Sequence, residues 1–265
     1  FLRELAAAAA PVALPFNVVE AFDQPWKRML EGTAGGSWGL YDERSQPKFA
    51  FAGPVAPDAQ WQLGWISAAC GMVAVLAIGL ARGHRGRGLA LLALAGVCVG
   101  SLGWQQWRYA AEAARTWIEA SVHGVAIATA SIAAVLIALA IASNAERRAS
   151  TAAPQWVERL RVAIYFGAAV VSLLLAVDPR YRDFPIALYL LPIGAYALLT
   201  WLRLGATAGR PERMLGVVIA VATAVILYRE TFANRDALLW SLLSLIAAGL
   251  TLRRNQQQAP NERHG

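Results

Sequence analysis

Between Trp61 and Leu252 the chain alternates long apolar runs, free of Asp, Glu, Lys and Arg, with short loops in which arginine is concentrated. A run of that length and purity leaves few folds open. Only a helix satisfies its own backbone hydrogen bonds within one segment, and so can lie in hydrocarbon. Seven such segments are read at 62–81, 88–106, 121–142, 162–177, 185–202, 214–228 and 237–252. Several are nearer sixteen residues than the ~20 that comfortably span a bilayer, so some ends must snorkel or the bilayer must thin. Composition agrees: 57% of residues are hydrophobic and 15% charged, against ~45–50% and ~25% in a soluble domain.

The loops carry an orientation signal. Arg82, Arg85 and Arg87 follow the first segment, Arg147, Arg148, Arg159 and Arg161 the third, Arg203, Arg210 and Arg213 the fifth, and Arg253 and Arg254 the seventh. The intervening loops balance their charges: Arg108 and Arg115 against Glu112 and Glu119, Arg180 and Arg182 against Asp178 and Asp183, Arg229 and Arg235 against Glu230 and Asp236. Positive charge is retained on the cytoplasmic side. The expected arrangement is therefore a multi-pass inner-membrane protein with residues 1–60 in the periplasm and the tail inside. Trp61, Trp65, Trp104, Trp107, Trp117 and Trp240 fall at the predicted outer interface, where an amphipathic indole is favoured.

A net charge of +7 raises the question of nucleic acid, but the arginines are dispersed among short loops rather than gathered on one basic face. No nucleic-acid partner is expected. GHRGRG at 83–88 is read as a basic loop suited to anionic lipid head groups. Cys70 and Cys98 lie inside apolar runs and read as small buried hydrophobes rather than a disulfide framework. No phosphate-cradling loop or metal-binding motif occurs, so no cofactor and no metal is expected.

The interior of the segments shows no ionisable residue of the kind that marks transport paths. His123, near the start of the third, reads as an interfacial residue or a proton relay. Pro185 and Pro192 read as a first-turn proline and a tolerated kink, or as the lining of a cavity. A retinal protein needs a lysine for its Schiff base. Lys27 and Lys48 are the only lysines, and both lie outside the apolar segments.

Residues 1–52 have a different character. FLRELAAAAA is spaced as a helix showing Phe1, Leu2 and Leu5 to a core, and FNVVEAF at 16–22 reads as one buried strand after Pro15. Helix, strand and polar loop in that order is an α/β-barrel rhythm, in which chemistry sits just past the strand ends. Asp23, Gln24, Trp26 and Lys27 fall there, followed by Glu31 and Trp38. Indoles stack on pyranose rings and the polar side chains hydrogen-bond to hydroxyls, so the cluster is suited to sugar. Gly35 and Gly36 would allow the tight backbone that returns Trp38 to the mouth. Taken singly, Trp26 and Trp38 read equally as rim packing, and Lys27 with Glu31 as a four-residue-spaced ion pair.

FNVVEAFDQPWKRMLEG and GSWGLYD resemble the last strand and following loop of glycoside hydrolase family 17, in particular its bacterial membrane-linked members associated with β-glucan synthesis and remodelling. The motif falls on Phe22, Asp23, Trp26 and Lys27, then Trp38, Gly39, Leu40 and Tyr41. The resemblance covers about a fifth of the chain. It implies a (β/α)8 barrel acting on β-1,3-glucan by hydrolysis or transglycosylation with retention. Asp23, Gln24 and Trp26 would line the cleft, with Lys27 and Glu31 as supporting residues. Gln24 stands where plant members tend to carry an acid, and the spacing from Lys27 to Trp38 differs from theirs.

A retaining glycosidase needs two carboxyl groups about 5–5.5 Å apart, and in this family both come from earlier strands. They are expected upstream of Phe1, the present chain reading as the end of a longer one. Glu20 alternates with Phe16, Val18 and Phe22 and is expected to fill or line the barrel interior.

The expected organisation is mainly α: a remnant of a (β/α)8 barrel over 1–52, a linker at 53–61, a seven-span helical membrane bundle over 62–252, and a tail at 253–265. The expected function is that of a periplasm-facing, membrane-tethered β-glucan hydrolase or transglycosylase, with the 265-residue chain inactive alone. The alternative is a membrane component of β-glucan synthesis or export whose barrel only binds polysaccharide. The partners are then β-glucan and the lipid bilayer.

Overall fold

The structure is a computed structural model and describes residues 2–50, 53, 60–114, 116–148, 155–178, 182–205 and 207–252. It divides into two compact units, residues 1–59 with 179–183, and residues 60–178 with 184–265.

In the first unit α1 (Leu2–Ala9) runs into a 3-10 turn at Ala10–Val12, where Pro11 ends the helix. A second 3-10 turn, Pro25–Lys27, leads into α2 (Arg28–Gly35), which is kinked at Gly32. The strand expected over 16–22 does not form. Among the described residues there are only isolated bridges, Phe22 with Tyr41 in parallel sense and Tyr41 with Pro47 in antiparallel sense. A lone apolar segment has no neighbour to complete its ladder, and Phe16, Val19 and Phe22 are exposed rather than buried. The barrel remnant is therefore not seen as such.

The second unit is a helical bundle of α3 (Trp61–Ala81), α4 (Gly86–Ala113), α5 (Trp117–Ala145), α6 (Gln155–Val177), α7 (Ile186–Trp201), α8 (Arg210–Glu230) and α9 (Arg235–Leu252). All of these except α7 are long and apolar enough to cross a membrane, six in number, and α7 is a shorter apolar helix of 16 residues. This is the build of a multi-pass membrane protein. Helix ends follow local chemistry. The Thr116 side chain caps α5 by accepting the Glu119 N–H, Pro211 sits in the first turn of α8, and Asn234 Oδ1 accepts the Asp236 and Ala237 N–H groups at the start of α9.

Without a hydrophobic drive between helices in lipid, close backbone packing and interhelical hydrogen bonds hold a bundle together. Here α3 and α4 meet at Gly71, Gly96 and Gly100, where a Cβ on any of the three would collide with backbone of the opposite helix, and Ser67 donates across to the Gly100 carbonyl at 2.8 Å. Gln106 of α4 donates to Ala187 O of α7 at 2.7 Å. Tyr165 of α6 reaches Ala247 O of α9 at 2.9 Å, and Tyr196 of α7 reaches Val157 O of α6 at 2.7 Å.

Three readings of the sequence change. Trp240 is no interfacial anchor: it is 1% exposed and stacks on Tyr189 with ring centroids 4.5 Å apart. Trp61, Trp65, Trp107 and Trp117 are exposed as expected. Cys70 and Cys98 are exposed free thiols on the bundle surface rather than core residues, which in lipid is no penalty for a small apolar group. Finally, α6 begins at Gln155, several residues before the apolar run, so Arg161 lies within a helix and is buried.

Candidate functional site

The loop after Phe22 is laid out by backbone pairing. Asp23 N–H donates to Tyr41 O at 2.9 Å, Tyr41 N–H to Ala21 O at 3.0 Å, and Gln24 N–H to Gly36 O at 3.1 Å. Residues 36–41 thus lie along 21–24. The approach is tightest at Gly39, where a Cβ would overlap the Asp23 nitrogen and the Phe22 carbonyl carbon. Gly39 thus meets backbone, whereas a Cβ at the expected Gly35 or Gly36 would meet the side chains of Glu31 and Arg28. The Phe22 and Tyr41 rings pack 5.6 Å apart across the same pairing.

Asp23 is the organising side chain. Its Oδ1 accepts the Gly39 N–H at 2.9 Å and the Lys48 ammonium at 2.9 Å, and Lys48 also donates to Ser37 O at 2.6 Å. Asp23 thus fixes the 36–48 segment and is spent on it. Lys27 pairs with Glu20, not with Glu31, so Glu20 is an ion-pair partner rather than a filler of a barrel interior. The Lys27 ammonium also sits 5.7 Å from the Trp26 ring centroid, within cation–π range. Gln24 Oε1 accepts the Trp26 Nε1–H at 2.9 Å. Glu31 Oε2 is buried without a hydrogen-bond partner among the described residues.

Of the six predicted residues, then, Asp23, Gln24 and Lys27 are joined to the loop's own framework. Trp26 and Trp38 remain substantially exposed, at 62% and 47%. The two indoles stand two residues beyond the paired positions Gln24 and Gly36, so one rigid element carries both. Sequence reasoning named Gly39 only as part of the family motif and did not join Lys48 to this loop. Asp23 and Lys48 are 25 residues apart, and no periodicity links them.

A second polar constellation lies at one end of the bundle. Glu146, just past α5, receives Arg85 N–H at 2.8 Å on one oxygen, and His84 Nδ1 and Arg148 Nε, each at 3.0 Å, on the other. Those donors, the Arg85 backbone first, hold the Glu146 carboxyl below its ordinary pKa. Arg148 reaches on to Arg82 O at 2.9 Å and to Gly83 O. His84, between them, is buried. At the same level of the sequence pattern, Arg161 is held by Glu158 at 2.7 Å and Glu212 at 3.0 Å.

The α4–α5 turn forms a notch of about 320 Å³ lined by Trp107, Trp117 and four alanines among others. His123 packs edge-on against Tyr109, centroids 5.7 Å apart, a contact that gives it a packing role. No group of three or more His, Cys, Asp or Glu among the described residues could hold a metal ion. No protein-family model, curated protein or solved structure matches the chain.

Proposed function

We propose that the protein is a membrane-tethered β-glucan hydrolase or transglycosylase whose N-terminal unit engages the polysaccharide through Trp26 and Trp38. The supporting observation is the pair of exposed indoles mounted on a loop whose polar side chains are already bound to one another. Aromatic faces of that kind stack on the C–H faces of sugar rings, and a preorganised platform loses little entropy on binding. The distribution of arginine supports an orientation with the Arg82–Arg87, Arg147–Arg148 and Arg203–Arg213 end in the cytoplasm and residues 1–60 in the periplasm of an inner membrane.

Asp23 and Glu20 are bound in ion pairs, so neither is assigned as acid/base or nucleophile. The 265-residue chain is expected to bind β-1,3-glucan without cleaving it. The test is co-sedimentation of the purified full chain, in neutral detergent, with insoluble β-1,3-glucan, using α-linked dextran beads as control. Binding that vanishes in the Trp26→Ala, Trp38→Ala double variant supports the reading. Equal retention of variant and parent would remove the indoles from the site.

A second reading is favoured by the buried Arg161–Glu212 pair. The pair joins α6 to α8 at the arginine-rich end of the bundle, and buried ionisable pairs recur at working sites, as they would in a membrane component of glucan synthesis or export. Glucan translocation by proteoliposomes that is lost on Glu212→Gln, with glucan binding intact, would select it.

A further inference from the structure

The inner ends of α3, α4 and α5 carry more cation than the chain itself neutralises. Glu146 is the acid that bridges these helices. It is consumed by His84, the Arg85 N–H and Arg148. Arg148 in turn is consumed by Glu146 and the carbonyls of Arg82 and Gly83. These contacts tie the α3–α4 loop to the end of α5, and so gather Arg82, Arg85, Arg87 and Arg147 onto one surface. All four are exposed, and none of their guanidinium groups has a hydrogen-bond or ion-pair partner among the described residues.

Depth identifies what meets that surface. Arg82 follows directly on α3, Arg85 and Arg87 flank the first residue of α4, and Arg147 lies two residues past α5. Each of these helices is long and apolar enough to cross a membrane, so their ends fall in the head-group layer whichever way the bundle faces. Arginine presents a planar fork suited to two phosphate oxygens. A phosphodiester is compact enough to share several such forks, and its negative charge offsets part of the excess that Glu146 leaves.

We propose that Arg82, Arg85, Arg87 and Arg147 form a binding site for the phosphate of an anionic phospholipid at the shared end of α3–α5. The Glu146–His84–Arg148 cluster is the brace that holds the four arginines together, and does not touch the lipid.

The test is lipid retention by native mass spectrometry on the full chain, delipidated in neutral detergent. It is supplied in turn with phosphatidylglycerol, phosphatidylcholine and inorganic phosphate. Retention of phosphatidylglycerol well above phosphatidylcholine, and its loss on raising salt, is the expected result. The Arg85→Gln, Arg87→Gln, Arg147→Gln variant should bind phosphatidylglycerol about a hundredfold more weakly, from roughly fivefold per arginine near a charged surface, with phosphatidylcholine binding unchanged. The single variants Arg87→Gln and Arg147→Gln, each about fivefold weaker, carry the test if the triple variant does not fold. A variant that keeps the parent's lipid preference overturns the proposal. So does inorganic phosphate displacing the lipid at equal concentration, which would make the site one for a soluble anion.

Discussion

Arg161 of α6 and Glu212 of α8 form an ion pair at 3.0 Å, 7% and 5% exposed, at the arginine-rich end of the bundle. Glu158, one turn before Arg161 on the same helix, adds a second carboxylate at 2.7 Å. A buried pair of this kind is costly to break and cheap to replace. Removing Glu212 leaves the buried guanidinium to Glu158 alone and takes away the acceptor of two of its N–H groups.

Glu212→Leu is therefore expected to destabilise the bundle by about 1–3 kcal/mol, read as a lowered thermal midpoint in detergent. Arg161→Met combined with Glu212→Leu should recover most of that loss. If the double variant were as unstable as the single, the pair would be stabilising on balance, and the α6–α8 contact would depend on it.

The α3–α4 crossing rests on absent side chains. Gly96 and Gly100 are spaced four apart on α4 and face Gly71 and Ser67 of α3. Gly100→Val drives a branched side chain into the Ser67 carbonyl. Overpacking of this sort costs about 1–3 kcal/mol, and more where backbone must move. The expected outcome is a lower thermal midpoint for Gly100→Val, whereas Gly103→Val, where no atom lies within 4 Å of the added carbon, should leave it near the parent value.

Much of the bundle could be read in advance because hydrocarbon imposes a single rule, a long run without charge. The seven expected segments coincide with α3–α9 to within several residues. What stayed hidden was where a helix continues past its apolar stretch. Gln155–Leu160 is polar enough to look like a loop, yet α6 runs through it because Arg161 finds Glu212 and Val157 O meets Tyr196. Trp240 was misplaced for a related reason: its position near a predicted interface says nothing about which face of α9 it occupies, and it packs inward on Tyr189. In the first unit the cluster past Phe22 was legible as a list of residues but not as an arrangement. That Asp23 spends itself on Gly39 and Lys48 depends on backbone pairing between segments 12 or more residues apart.

That arrangement predicts a separation between structure and contact. Asp23→Ala removes the acceptor of both Gly39 N–H and Lys48, and Gly39→Ala pushes a methyl into the Asp23 backbone. Neither touches an indole. Both are expected to abolish co-sedimentation with β-1,3-glucan, at a cost of about 1–3 kcal/mol for the unpaired groups left behind. Trp26→Ala should lose binding with no change in proteolytic resistance of the loop. Undiminished glucan binding by Asp23→Ala would mean that the loop order plays no part in recognition.

Acid should loosen the α3–α5 end before the rest. The Glu146 carboxyl is held below its ordinary value of 4.5, chiefly by the Arg85 N–H. A group whose folded pKa is depressed contributes stability that is fully present above its unfolded value and is lost as pH falls through the folded one. Protection of the Arg85 and His84 amides, taken relative to their intrinsic exchange at each pH, should therefore fall below about pH 4.5 in the parent. In Glu146→Gln it should be low and flat across that range. A parent profile without that fall would show that Glu146 does not brace the loop.

Two helix ends carry arginine where their backbone favours glycine. Three helices close with the same paired bonds: Gly83 N–H to Leu80 O with His84 N–H to Gly79 O, Arg147 N–H to Asn144 O with Arg148 N–H to Ser143 O, and Arg203 N–H to Thr200 O with Leu204 N–H to Leu199 O. In each, the residue after the cap takes a left-handed backbone, with φ of 73° at Gly83, 53° at Arg147 and 57° at Arg203. Glycine is the usual occupant because a Cβ is strained there. Arginine offers a cation at a negative helix end, so backbone strain is traded for charge. Arg203→Gly is thus expected to raise the thermal midpoint by the equivalent of about 1 kcal/mol. Arg203→Ala, which keeps the Cβ and loses the charge, should not. If alanine stabilised as much as glycine, the gain would come from removing charge, and the left-handed turn would carry no strain.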